Sequence, residues 1–330
     1  MDQERRSALL EIKLGALVRD AFGETGGAPL PFPGGAAYLR DGTLDVLLEE
    51  RARSIGPALA LASHRGASRV RVLASEGAAR LAAQAAAFAT PVEVYAVQGR
   101  SEVLAAEPVD VPLPDPPPDA PELVALLVAA GLDVVAEHGR LAGEVRGLEV
   151  ARIRAHVSSE PTALEVGVGQ ADRELTAMLH GDLSPDAALG RVVETVDAVR
   201  RPGAEPHPLN RLAPERWLRW VVRGDPARAG ATEPLEPVPS PQPRSGLRDR
   251  DVACALTTLV DGAEAVVVCS VGVDVDLVPL AAEARTLFGA SRELALVLPA
   301  RDVHRTTSAL AAALVRPARI IAVEGEWRAR

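Results

Sequence analysis

Lysine is almost missing from this chain: of 36 basic residues only Lys13 is a lysine, and the rest are arginines. That scarcity leaves no residue to follow a Gly-rich turn as a phosphate-loop lysine, and little room for Schiff-base chemistry. Cysteine is nearly as rare. Cys254 and Cys269 form no C-x-x-C pair, so neither a disulfide framework nor a structural zinc site is expected. No stretch has the length and apolarity of a membrane span. The N-terminal MDQERRSALLEIKLGALV lacks a signal-like apolar core, which makes the cytoplasm the expected location and a membrane an unexpected partner. A net charge of −9 argues against a broad affinity for nucleic acid, because phosphate binding requires a clustered positive field.

Against these absences, the 330 residues are 48% hydrophobic, enough to build a core in each of several domains. Two proline-rich stretches, Glu107 to Pro121 and Glu233 to Arg244, divide the chain. Such runs cannot sustain a helix or a strand ladder and read as semi-rigid linkers. The resulting plan is a first α/β unit over 1–106, a linker over 107–121, a central α+β domain over 122–232, a linker over 233–245 and a second α/β unit over 246–330.

The outer blocks repeat each other. Apolar segments flank Asp41-Gly42 in the first and Asp261-Gly262 in the last, the dipeptide that tight hairpins prefer. A helix follows each hairpin, Gly56 to His64 and Leu277 to Phe288, and then the same four letters, Gly66-Ala67-Ser68-Arg69 and Gly289-Ala290-Ser291-Arg292. The glycine stands where a helix end needs a left-handed residue. A second helix (Glu76 to Phe88; Val303 to Val315) leads to a last strand, Pro91 to Gly99 or Pro317 to Gly325, with proline, Ala-Val and glycine in register. Each copy therefore reads β-β-α-β-α-β, an internal duplication whose copies are expected to pack as a pseudo-twofold pair. The predicted fold class is α/β, with two similar units flanking a central α+β domain.

That order of elements resembles the core of PD-(D/E)XK nucleases, the restriction-endonuclease-like fold. In active members an Asp and an E-x-K triplet bind a divalent metal. The matching triplet here is Glu49-x-Arg51, with arginine in place of lysine, and Gly34-Gly35-Ala36 stands where the aspartate is expected. Arginine holds a phosphate but does not relay a proton near neutral pH. The resemblance thus implies a vestigial site at Glu49 and Arg51, with no metal and no cofactor. The last copy, with Cys269-Ser270-Val271 before Asp274 and Asp276, has neither element.

In the central block, Pro121 to Ala130 reads as a helix, and Gly147 to Ala155 and Ala163 to Val168 read as strands. Ser184-Pro185 starts a helix that Pro202-Gly203 stops. The densest polar cluster lies between: Glu165, Asp172, Glu174, His180 and Asp182, candidates for acid-base or metal-ligand work. Each also has a structural role, since acids suit a helix's first turn and His-Gly its end. Asp274 and Asp276 similarly fall where open α/β sheets bind ligands, and equally suit helix capping. Cys269 reads as a small buried hydrophobe. Arg216, Trp217, Arg219 and Trp220 form a helix segment that would bind a partner if exposed, or pack internally with arginine stems over the rings. The strings LEVGVGQADRELTAMLHGD and HPLNRLAPERWLR resemble those of a family of uncharacterised actinobacterial proteins over most of the chain, which implies that the blocks belong together and carries no activity with it. The leading expectation is a non-catalytic binding or scaffold protein; a metal-dependent hydrolase using the central cluster and a protein-protein adaptor using the Arg/Trp helix are the alternatives.

Overall fold

The computed structural model describes residues 3–99, 101–109, 112–154, 162–169, 184–201, 203–244 and 246–327. The fold is α/β; among the described residues eight helices are interleaved with the strands of three mixed or antiparallel sheets. No helix among the described residues is long and apolar enough to cross a membrane. The chain divides into two compact units. One holds Met1–Pro112 with two later segments, Val273–Thr286 and His304–Ala318; the other holds Leu113–Gly272, Leu287–Val303 and Arg319–Arg330. The last block therefore contributes most of its helical residues to one unit and its strands to the other.

In the first unit α1 (Gln3–Phe22) precedes a six-stranded sheet in sequence order: β1 (Ala28–Leu30), β2 (Gly35–Arg40), β3 (Thr43–Leu48), β4 (Arg69–Ala74), β5 (Val92–Gln98) and β6 (Glu102–Ala105). β2 and β3 form the hairpin expected at Asp41-Gly42, where both turn residues take positive φ. The pairs β3/β4 and β4/β5 are parallel, and β6 returns antiparallel on β5. Leu10, Leu14, Leu17 and Val18 recur at helical spacing, and α1 packs them on Ala36, Leu47, Leu73 and Val97. Each fully buried leucine there stabilises by roughly 1.5–3 kcal/mol. α2 (Gly56–Arg65) and α3 (Ala78–Ala85) lie against β4 and β5. α2 ends as expected: Gly66 sits at φ 67° and its N–H donates to the Ala62 carbonyl.

Two further helices of this unit come from the end of the chain, α7 (Leu277–Phe288) and α8 (Arg305–Ala312). The segments after α3 and α8 meet in one antiparallel bridge at Phe88 and Leu314. The Ala89 N–H donates to the Ala313 carbonyl at 2.8 Å, and the Val315 N–H to the Ala87 carbonyl at 2.9 Å. With Pro91 equated to Pro317, Ala89 matches Val315 and Ala87 matches Ala313, so each N–H bonds the counterpart of the position two residues before it and the contact is reciprocal.

The second unit carries the central block. α4 (Pro121–Ala129) is followed by four antiparallel strands in the order β10-β9-β8-β7: β7 (Asp133–Glu137), β8 (Arg140–Val145), β9 (Leu148–Arg154) and β10 (Ala163–Val166). α5 (Pro185–Val199) closes their apolar face with Leu189 and Val196, together with Leu127 of α4. Its start has the expected chemistry, the Ser184 hydroxyl oxygen accepting from the Ala187 N–H with Pro185 in the first turn. β7 and β8 were not foreseen. Their turn is His138-Gly139, with φ of 37° and 77°, which lacks the Asn-Gly or Asp-Gly signature of a tight hairpin.

α6 (Pro214–Gly224) then leads to a five-stranded sheet in sequence order: β11 (Glu236–Val238), β12 (Ala253–Thr258), β13 (Glu264–Cys269), β14 (Glu293–Pro299) and β15 (Arg319–Val323). The stretch read as a second linker therefore carries an edge strand, which tolerates Pro237 because an edge needs no outward donor. β12/β13 pair antiparallel, and β13/β14 and β14/β15 pair parallel, the same sequence of pairings as β2 to β5. The turn at Asp261-Gly262 differs from expectation. Thr258 pairs with Glu264, leaving a five-residue loop over 259–263 rather than a two-residue turn.

Candidate functional site

Parallel strands of an α/β layer present their carboxyl ends as a natural place for ligands. In the first unit Leu48 of β3 pairs with Ala74 of β4, and the next residues, Glu49 and Ser75, stand together at that end. The Ser75 hydroxyl donates to Glu49 Oε2 at 3.4 Å. The stronger partner is Lys13 of α1, whose ammonium reaches Oε2 at 2.8 Å and Oε1 at 3.0 Å. Both side chains are about a third exposed, at 29% and 32%. Arg51, the arginine of the triplet, is exposed, and Arg6 of α1 pairs with Glu50. Lys13 was missed by the sequence reading because it lies 36 residues from its partner. One signal was available: Lys13 stands three residues after Leu10 and four before Leu17, on the flank of the buried stripe.

The same unit has a groove of about 620 Å³ lined by Arg6, Leu10 and Glu11 of α1, by Pro31 and Phe32 ahead of β2 and by Gly35 at its start. Gly35 stands opposite Leu48 in the hairpin. A Cβ on it would lie 2.0 Å from the Leu47 carbonyl oxygen. No side chain fits there, which gives Gly35 a steric reason.

A second polar cluster in the same unit surrounds the starts of α2 and α7. The Ser54 hydroxyl donates to Asp276 Oδ1 at 2.5 Å, and Ser54 Oγ accepts from the Gly56 N–H at 2.9 Å. Asp274 Oδ1 accepts from the Asp276 N–H and so shapes the turn into α7, while the Asp276 carboxylate takes the Ser54 hydroxyl. Burial pushes the Asp276 carboxyl above the usual carboxylate range, opposed by the Ser54 hydrogen bond. Gln84 bridges the layer, accepting from the Ile55 N–H and donating to Glu283, which Arg80 neutralises.

In the second unit the Arg/Trp helix does not offer the exposed face that an adaptor needs. Arg216, Trp217 and Arg219 are buried at 3%, 0% and 3% exposure, and Trp220 is half-buried. The reason is charge from β7 and β8. Arg216 donates to Glu137 at 2.6 Å and to Glu144 at 3.0 Å, and Arg219 donates to Glu144 at 3.0 Å and to the Cys254 carbonyl at 3.3 Å. Burial opposes the charge on Glu137, but Arg216, Arg219 and Arg140 together outweigh it and hold the carboxyl below its usual range. Trp217 meets Trp327 edge to face at 6.1 Å and lies under the Arg200 guanidinium at 4.5 Å, while Trp220 lies under Arg146. These four residues hold the interior together.

Glu165 lies on β10, half-buried, with Arg154 at 3.2 Å. Asp172, Glu174, His180 and Asp182 lie outside the described residues. Cys254 and Cys269 are buried; burial pushes the Cys269 thiol up to about 12 and raises Cys254 further, so neither is a thiolate near neutral pH. Among the described residues no three His, Cys, Asp or Glu side chains are grouped to hold a metal ion. No protein-family model, curated protein or solved structure matches the chain, and the site stands on its own geometry.

Proposed function

We propose that this chain is a non-catalytic binding or scaffold protein built on two α/β units of common origin, each a degenerate relative of the nuclease-like core. The observation that carries the reading is the pairing at the end of β3. Glu49 spends both carboxylate oxygens on Lys13, and the position that would bring a second acid is Gly35, where the Leu47 carbonyl leaves no room. A two-acid metal clamp therefore has one member, already neutralised. The groove between α1 and the segment leading into β2 supplies a binding surface without that chemistry.

Duplication is supported by the matching order of strand pairings in β2–β5 and β12–β15, and by the reciprocal bonds between 87–89 and 313–315. Two buried thiols fit a reducing compartment, so the cytoplasm is the proposed location. The proposed partner is another protein.

The test uses the purified chain with Mg2+, Mn2+ or Zn2+, read by thermal shift and by cleavage of linear double-stranded and single-stranded DNA. A bound metal raises the melting temperature through linkage. We expect no shift and no cleavage. Metal-dependent cleavage that disappears in Glu49→Gln overturns the proposal.

A further inference from the structure

By composition the two proline-rich stretches of this chain look alike, but they fold differently. In the second, over 233–244, Leu235, Ser240 and Pro241 are buried and β11 pairs with β12, so most of the stretch is taken up in the fold. In the first, residues 112–120 form neither helix nor strand, and Pro112, Leu113, Asp115, Pro116, Pro117 and Asp119 are exposed, Leu113 at 73%.

The residue types dictate the backbone there. Proline fixes its own φ at about −65° and pushes the residue before it out of the helical region. From Leu113 to Pro118 every residue is a proline or precedes one. Such a run takes up polyproline II, and its period of about three residues per turn sets Leu113, Pro116 and Asp119 along one edge. The Asp115 carbonyl accepts from the Gly139 N–H at 2.9 Å, which ties the stretch to the β7–β8 turn while that edge stays exposed. Acids surround it. Glu107, Asp115, Asp119 and Glu122 are exposed, and the sequence holds no lysine or arginine between Arg100 and Arg140.

We infer that residues 113–119 are a docking motif for a protein module that reads polyproline II in an aromatic-lined groove with a basic rim. Such grooves take a ridge of proline and aliphatic side chains, and they gain from a ligand with little backbone freedom left to lose. Leu113, Pro116 and Pro117 supply the apolar ridge, and Asp115 and Asp119 supply the charge that a basic rim complements. The module is the protein partner proposed above, but its docking residues include none of the Glu49 site. Metal-dependent cleavage would therefore overturn the scaffold reading and leave this one standing. So short a contact buries less surface than stable interfaces do, and the expected Kd lies between about 1 µM and 1 mM.

The test titrates the labelled full chain with purified SH3, WW and EVH1 domains and reads binding by fluorescence anisotropy. Saturable binding to at least one of them is expected, displaced by a free oligoproline peptide and weakened by salt. Pro116→Ala combined with Pro117→Ala should lower the affinity by about tenfold or more. Pro234→Ala combined with Pro243→Ala, at exposed prolines of the second stretch, should leave it unchanged. Four results each overturn the inference: no saturable binding up to about 1 mM, binding that ignores the first pair of substitutions, an equal loss from the second pair, or binding that strengthens with salt. Peptide competition on the unaltered chain decides the matter even where a variant fails to fold.

Discussion

Glu144→Gln is the perturbation that most directly probes why the Arg/Trp helix is inside. Glu144 is 3% exposed and accepts from both Arg216 and Arg219. Glutamine keeps the shape and one acceptor oxygen but removes the charge, leaving Arg216 with Glu137 and Arg219 with the Cys254 carbonyl. Removing one partner from a buried ion pair costs about 3–5 kcal/mol, mostly the penalty of the uncompensated charge left behind. The retained oxygen places Glu144→Gln at the lower end, about 3 kcal/mol, which corresponds to a fall in Tm of roughly 6–12 °C for a unit of this size. Calorimetry in low and high salt is the assay, because the chain has two compact units and only calorimetry separates their transitions. Salt should not change the loss, since a pair shielded from water is barely screened. Arg69→Ala is the control. It breaks the exposed Arg69–Glu93 pair and should cost at most about 1 kcal/mol, with whatever loss there is declining in salt. A loss below about 1 kcal/mol for Glu144→Gln, or one that salt erases, would mean that the arginines are solvated and would restore the adaptor reading.

Gly35→Ala drives a Cβ into the Leu47 carbonyl and should destabilise the first unit by about 1–3 kcal/mol or more, seen as earlier thermal unfolding and faster proteolysis. Asp276→Asn keeps the acceptor for Ser54 and removes a titration. The Asp276 pKa is raised on folding, so the native state holds the proton more tightly and stability falls as pH rises from the ordinary aspartate value through the folded one; the variant should flatten that part of the Tm profile. Glu137 has the opposite sign. Its lowered pKa gives stability that is complete above the ordinary glutamate value and is lost as pH falls through the folded value, so Glu137→Gln should weaken the second unit at pH 7 and make its acid unfolding shallower. Ser184→Ala removes the cap of α5 and should cost about 1 kcal/mol by chemical denaturation.

Local chemistry was readable directly from the letters. Ser184-Pro185 starts a helix, Gly66 ends one, Asp41-Gly42 turns a hairpin, and the helix from Leu277 to Phe288 is where its periodicity places it. Each of these depends on residues within a few positions of one another, so caps, turns and periodicity are enough to specify it. That position 35 must be glycine could not be seen, because the carbonyl that demands it belongs to Leu47 on the neighbouring strand.

What only the tertiary structure decided is which charges meet. Lys13 finds Glu49 across 36 residues, and Arg216 finds Glu144 across 72 and Glu137 across 79. An arginine-rich helix looks amphipathic with a wet face until two strands bring acids to it, and those strands, β7 and β8, carry only a weak alternation and an atypical turn. Pairing of that kind is set by the distance between side chains in space and by the exclusion of water around them. Neither is a property of the order of residues along the chain.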